Sequence, residues 1–145
     1  MDPARPEFVP DPGQSREEME SLQRRVAETA VFDDDFAFDV AAVSLASAEP
    51  VDGDRPLVAG VDQAFLDDRA VSAIVVMRGG ETVERAHAVT DLSIPYVPGL
   101  LSFREGGPIL AAFEALDCTP DLVVFDGSGR IHFRQAGLAT HLGVV

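Results

Sequence analysis

Three apolar runs separated by very short turns constrain this chain more than any other feature. Leu57–Phe65, Ala70–Met77 and Thr82–Val89 are built mostly from Val, Ala, Ile and Thr. The linkers Asp67-Asp68-Arg69 and Arg78-Gly79-Gly80-Glu81 have the length and composition of hairpin turns. The spacing predicts an antiparallel three-strand meander. Residues 93–100 (SIPYVPGL) hold two prolines and a glycine and are expected to form an irregular loop. Next, Ile109, Leu110, Phe113 and Leu116 fall on one helical stripe, Pro120 stops that helix, and Asp121–Phe125 reads as a short buried strand. A Gly-containing turn at Asp126–Gly129 and a further helix from about Phe133 complete the series. A meander followed by helix–strand–helix is an α/β plan, with the last strand parallel to one of the first three.

Residues 1–14 carry four prolines and are expected to be a flexible leader, with one domain over 15–145. Ser15-Arg16-Glu17-Glu18 has the form of a capping box. Met19, Leu22, Val26 and Ala30 follow at helical spacing, which predicts an amphipathic helix from about Arg16 to Ala30. Residues 46–56 (ASAEPVDGDRP) read as a surface loop. An apolar content of 46% supports a real core and argues against intrinsic disorder. The single cysteine, Cys118, excludes an internal disulfide framework, and no closely spaced Cys/His set suggests zinc. No apolar run approaches the ~20 residues of a membrane span, and no basic-then-apolar signal peptide opens the chain. A cytoplasmic protein without a membrane partner is the expectation.

Twenty-five acidic residues face 11 basic ones, all of them arginine. Self-repulsion of that size disfavours a compact fold at low salt and is largely screened at 1 M, where the Debye length is roughly 3 Å. A lysine-free acidic surface fits a protein made for molar intracellular salt, as in a halophile; Arg-for-Lys codon bias in a GC-rich genome is the alternative. A net charge of −14 speaks against nucleic-acid binding. The distribution softens this, because residues 92–145 hold only 5 of the 25 acids.

Five residues carry candidate chemistry. Asp62 shares a strand face with Val58, Gly60 and Ala64, where a carboxylate is costly unless it is paired or coordinated; it reads as a metal ligand or as a partner of a turn or an arginine. Asp126 follows the apolar run Leu122–Phe125, and carboxyl ends of strands in open α/β sheets bind ligands, although Asp-Gly is also a common turn pair. Glu105 closes a possible capping box at Ser102. With Pro108 as the first residue of the helix, however, Glu105 falls on a loop facing the site. His132 lies six residues after Asp126 and is either structural, as His87 and His141 are expected to be, or part of the site. Tyr96, in Pro-Tyr-Val-Pro-Gly, is either a loop-anchoring core aromatic or a wedge for a duplex. Three carboxylates without Cys or neutral His favour a hard cation, Mg²⁺ or Mn²⁺, which can activate water against a phosphodiester.

The run Ile94–Glu105 (IPYVPGLLSFRE) and the run Pro120–His132 (PDLVVFDGSGRIH), with Ala59-Gly60-Val61-Asp62 before them and Gly137–Gly143 (GLATHLG) after, strongly resemble the endonuclease V family. The likeness extends from about Gln23 to Val145. It implies an RNase H-like fold and a Mg²⁺-dependent DNA repair endonuclease, expected to be a monomer. Such an enzyme nicks the second phosphodiester 3′ to deoxyinosine and leaves 3′-hydroxyl and 5′-phosphate ends. By position, Asp62 and Asp126 would be metal ligands, and Glu105 would complete the acidic cluster directly or through water. His132 would position or deprotonate the attacking water, and Tyr96 would fill the gap left by a flipped nucleotide. Gly99, Leu101 and Gly127 would line the base pocket. Ser128 stands where many members have His, and Phe133 where Pro is frequent. The family continues with a Gly-Val-Ala-Lys strand and a late acidic residue, so the chain is expected to hold the N-terminal part of the domain. A non-catalytic remnant that binds nucleic acid, and a nuclease acting on inosine in RNA, are the alternatives.

Overall fold

The three central runs form long strands, β1 (Leu57–Leu66), β2 (Arg69–Arg78) and β3 (Glu81–Asp91), in a computed structural model that describes residues 1–43 and 55–145. Both connections are two-residue hairpins, with Leu66 opposite Arg69 and Arg78 opposite Glu81. Gly79 and Gly80 both take positive φ, 58° and 98°, the backbone that a tight hairpin between right-twisted strands requires. The surface loop expected over 46–56 lies, up to residue 54, outside the described residues.

A fourth strand, β4 (Leu122–Phe125), runs parallel to β1, giving the sheet order β3-β2-β1-β4. The expected antiparallel meander with an added parallel strand is therefore present. The expectation that this last strand is buried is corrected. Among the described residues β4 lies at the edge of the sheet: Val123 and Phe125 pack on the core, whereas Val124, opposite Gly60, is 55% exposed.

Helix α1 (Arg16–Thr29) carries the predicted capping box: the Glu18 amide donates to Ser15 Oγ, and the Ser15 amide donates to the Glu18 carboxylate at 2.8 Å. Helix α2 (Leu101–Glu114) departs from expectation. It begins seven residues before Pro108, which lies inside it, so Glu105 is helical and buried rather than on a loop. Ser102 caps nothing, because Leu100 is the N-cap. The early start buries Phe103 with residues of α1 and Gly106 beside Pro10 and Leu142, which offsets the one backbone bond that Pro108 forgoes. Helix α3 (Leu138–Val144) starts five residues later than expected, after an irregular stretch in which Gln135 has φ 53°.

Two cores result. Ile109 and Phe113 of α2, with Leu116 just beyond its end, cover Ala59, Val61, Ile74, Val76 and Ala86 on one sheet face. Met19, Leu22 and Val26 of α1 meet Phe103, Ala136 and Val144 in the second. Phe8 belongs to that second core, which corrects the flexible leader. Its carbonyl accepts from His141 Nε2 at 2.8 Å, and the Arg5 amide donates to the Val145 carbonyl at 2.9 Å. Pro10 is buried as well and packs beside Gly106 of α2. No helix among the described residues is long and apolar enough to cross a membrane.

Candidate active site

Two of the acidic residues lie on adjacent parallel strands, Asp62 in the middle of β1 and Asp126 just past the carboxyl end of β4. Val61 and Phe125 are register partners, and the Asp126 amide donates to the Val61 carbonyl at 3.2 Å. The next residue on β1, Asp62, and the residue closing β4, Asp126, thus stand level on neighbouring strands, which run about 4.8 Å apart. Both are exposed. Asp62 sits on the sheet face away from α2, so the expected cost of a buried carboxylate does not arise; it accepts from the Gln63 amide at 2.8 Å.

Glu105 approaches from α2 and is 8% exposed. Burial raises its pKa above the ordinary carboxylate value, and the negative charge of Asp126 raises it further. The Arg104 guanidinium opposes both, donating from Nη1 to Glu105 Oε1 at 3.3 Å. Arg104 in turn lies over the Phe65 ring, 4.6 Å from its centroid. Gln63 Nε2 donates to Ser72 Oγ at 2.7 Å and to the Glu105 carbonyl at 3.4 Å, tying β1, β2 and α2 together beside Asp62. The sequence-predicted trio is not one ligand cluster: among the described residues no three His, Cys, Asp or Glu side chains converge on a metal position. Asp62 and Asp126 are paired by register, and Glu105 is tied through its carbonyl to Gln63, the residue after Asp62.

Tyr96 is 66% exposed, which overturns the core-aromatic reading. The loop around it is held by other residues. Ile94 and Val97 pack on the second core, and Gly99, at φ 80°, turns its carbonyl toward three donors. These are Gln23 Nε2 at 2.9 Å, His132 Nε2 at 3.2 Å and Arg134 Nη2 at 3.4 Å. A Cβ on Gly99 would also press on the Phe133 ring.

His132 is thereby accounted for. A carbonyl partner makes Nε2 the protonated nitrogen, and Nδ1 accepts from the Arg134 amide at 3.2 Å. Burial, with the positive charge of Arg134, lowers its pKa, while the Gly99 carbonyl acts the other way. As a neutral ring with both nitrogens engaged, His132 links loops here and offers no free base. His141 is structural as expected: Nε2 donates to the Phe8 carbonyl and Nδ1 accepts from Ser102 Oγ at 2.9 Å, at no measurable exposure. His87 is exposed.

A cavity of about 120 Å³ opens beside Tyr96, lined by Gly99, Leu101, Ser102, His132 and Gln23. Typical ligand pockets exceed about 300 Å³, so this one admits a single small ring system. Of the residues expected at a base pocket, Gly99 and Leu101 line this cavity. Gly127 does not: it packs on Leu138, and Ser128 takes its place in the lining. Gln23 and Arg134 were missed by sequence reasoning. The available signal was a glutamine four residues after Met19, on the stripe that α1 buries.

The family model for endonuclease V matches residues 40–145. Over all 145 residues the chain is 62% identical to an endonuclease V of Natronomonas pharaonis, covering 55% of that protein. The crystal structure of endonuclease V from Streptomyces avermitilis superposes with a TM-score of 0.71 at 38% identity, over 96% of this chain and 55% of that one. Ciona intestinalis endonuclease V, crystallised with a 24mer DNA containing an inosine followed by a ribo-adenosine, gives a TM-score of 0.71 at 27% identity. That match covers 88% of this chain and 52% of the other. The chain spans about half the length of the curated relatives it matches.

Proposed function

The chain belongs to the endonuclease V family, and from that premise we propose that it cleaves DNA beside deoxyinosine. The bond cut is the second phosphodiester 3′ to the deaminated base, leaving a 3′-hydroxyl and a 5′-phosphate. The observation that carries this reading is the level placement of Asp62 on β1 and Asp126 just past β4, with Glu105 tied through its carbonyl to Gln63, the residue after Asp62.

A divalent cation is implied by the family, and the residues fit one. The donors are carboxylate oxygens without thiolate or free imidazole. Mg²⁺ characteristically takes one or two protein carboxylates and fills its other positions with water and phosphate oxygens. Asp62 and Asp126 would hold it, and Glu105 would reach it directly or through water; Mn²⁺ suits the same donors. Bound there, the ion supplies an acidified water and charge stabilisation for the leaving oxygen.

The remaining residues bind and orient. Tyr96, exposed between Pro95 and Pro98, fills the gap in the stack when the nucleotide leaves it, a step that costs a few kcal/mol. The cavity beside it receives the base. Leu101 and Ser102 open α2, and amides of a first helical turn have no acceptor within the helix, so they can donate to the hypoxanthine oxygen. A part for His132 in positioning water requires Nδ1 to be released from the Arg134 amide.

A second reading, cleavage of inosine-containing RNA, draws support from the ribonucleotide that follows the inosine in the Ciona complex. One assay separates these readings. Labelled duplexes with one deoxyinosine, with and without a following ribonucleotide, are incubated in molar KCl with Mg²⁺ beside an inosine-free control. A nick one nucleotide 3′ to the inosine nucleotide in the all-DNA duplex is expected. Cleavage only before or after a ribonucleotide would favour RNA. A folded protein that binds but does not cut would support the non-catalytic reading.

A further inference from the structure

We infer that Gln23 of α1, with Arg134 as its partner, is a positioning residue for the Pro95–Gly99 segment and hence for Tyr96. The inference rests on the assignment of Tyr96 as the residue that fills the gap beside a flipped nucleotide.

Gln23 is 1% exposed among apolar neighbours. A buried amide is costly unless its donors and acceptor are used. Here they are used on one small region. Nε2 donates to the Gly99 carbonyl at 2.9 Å and reaches the Ala136 carbonyl at 3.5 Å, while Oε1 accepts from Arg134 Nε at 2.7 Å. Arg134 returns to the same Gly99 carbonyl through Nη2 and stands 3.8 Å from Glu20 Oε1 on the next turn of α1. Glutamine and arginine thus close a ring of hydrogen bonds around one peptide group.

A leucine at position 23 would serve the apolar stripe of α1 equally well, so burial alone does not require the amide. The amide adds direction. Ile94 and Val97 anchor the loop through non-directional contacts, and these leave the rotation of the peptide after Gly99 unset. Three donors aimed at that carbonyl set it, and Tyr96 is three residues away on a segment stiffened by Pro95 and Pro98. The same carbonyl borders the cavity beside Tyr96.

The chain has one tyrosine and no tryptophan, so intrinsic fluorescence reports Tyr96 alone. The test compares wild type with Gln23→Leu, Arg134→Met and, as a control on the same buried helix face, Leu22→Met. In DNA-free protein, tyrosine anisotropy should fall and acrylamide quenching should rise in Gln23→Leu, less so in Arg134→Met, and not in Leu22→Met. Circular dichroism should stay native in all three. Affinity for an inosine duplex should fall about tenfold in Gln23→Leu, the loss of roughly one well-placed buried hydrogen bond, with affinity for inosine-free duplex unchanged. Wild-type anisotropy and quenching in both network variants would overturn the inference, as would an equal change in Leu22→Met. If Gln23→Leu does not fold, Arg134→Met decides alone by the same anisotropy criterion. If wild-type Tyr96 fluorescence does not respond to inosine DNA, the substrate reading fails, while the DNA-free comparison still decides the positioning role.

Discussion

Asp62 and Asp126 stand level on neighbouring parallel strands because the Asp126 amide donates to the Val61 carbonyl at 3.2 Å. That bond extends the β1–β4 register and sets side by side two carboxylates more than 60 positions apart in sequence, the pair proposed to hold one ion. Parallel pairing sets both beside the carboxyl end of β4, and open α/β folds present ligand sites at the carboxyl ends of strands.

Tyr96→Ala should weaken binding to an inosine-containing duplex while leaving thermal stability unchanged. At 66% exposure the ring contributes little to the fold, and substitutions at such positions stay within about 0.5 kcal/mol. Fluorescence anisotropy of a labelled duplex and a thermal melt check the two halves. Unchanged DNA affinity would remove Tyr96 from the interface.

Much of this was legible because it depends on local pattern. The hairpin lengths, the capping box of α1 and the order Tyr96, Glu105, Asp126, His132 follow from residues close in sequence. What was not legible depends on distant partners. Pro108 looked like a helix start, yet burial of Phe103 and Gly106 against the leader carries α2 back to Leu101. Asp62 looked buried by its neighbours, but on its face of β1 only Val58 is buried, while Gly60, Asp62 and Ala64 are exposed. His132 looked like a base until Gly99 and the Arg134 amide, 33 and two residues away, took both its nitrogens.

Two adjacent glycines should respond oppositely to alanine. A Cβ on Gly106 would lie 2.6 Å from Cγ of Pro10, whereas one on Gly107 meets nothing within 4 Å. Gly106→Ala should destabilise by about 1–3 kcal/mol or push the leader off, with faster proteolysis near residue 10. Gly107→Ala should be neutral or gain up to about 1 kcal/mol from helix propensity. Urea midpoints and limited proteolysis measure both.

Stability should depend on pH through His141. Burial holds its imidazole neutral in the folded protein at pH values where the unfolded chain, titrating near 6.5, takes up a proton. The unfolded state then binds more protons, so this contribution is complete above about pH 6.5 and is lost as pH falls through the lowered folded value. Urea midpoints should drop between pH 7 and 5, and His141→Gln should flatten that part of the slope. An unchanged slope would place the titration elsewhere.

Net charge −14 with no lysine should make the fold salt-requiring. Raising KCl from 0.1 M to 1 M shortens the Debye length from about 10 Å to about 3 Å. The melting temperature should rise by about 5 °C or more over that range. A flat response would favour codon bias over adaptation to salt.

The most direct measurement is a Mn²⁺ titration followed by the paramagnetic signal of the free ion, on wild type, Asp62→Asn, Asp126→Asn and the double variant. If the two carboxylates share one ion, each single substitution should weaken binding nearly as much as both together, a strongly non-additive cycle. Additive losses, or a single variant that binds as wild type does, would contradict the shared site where β4 ends beside Asp62 of β1.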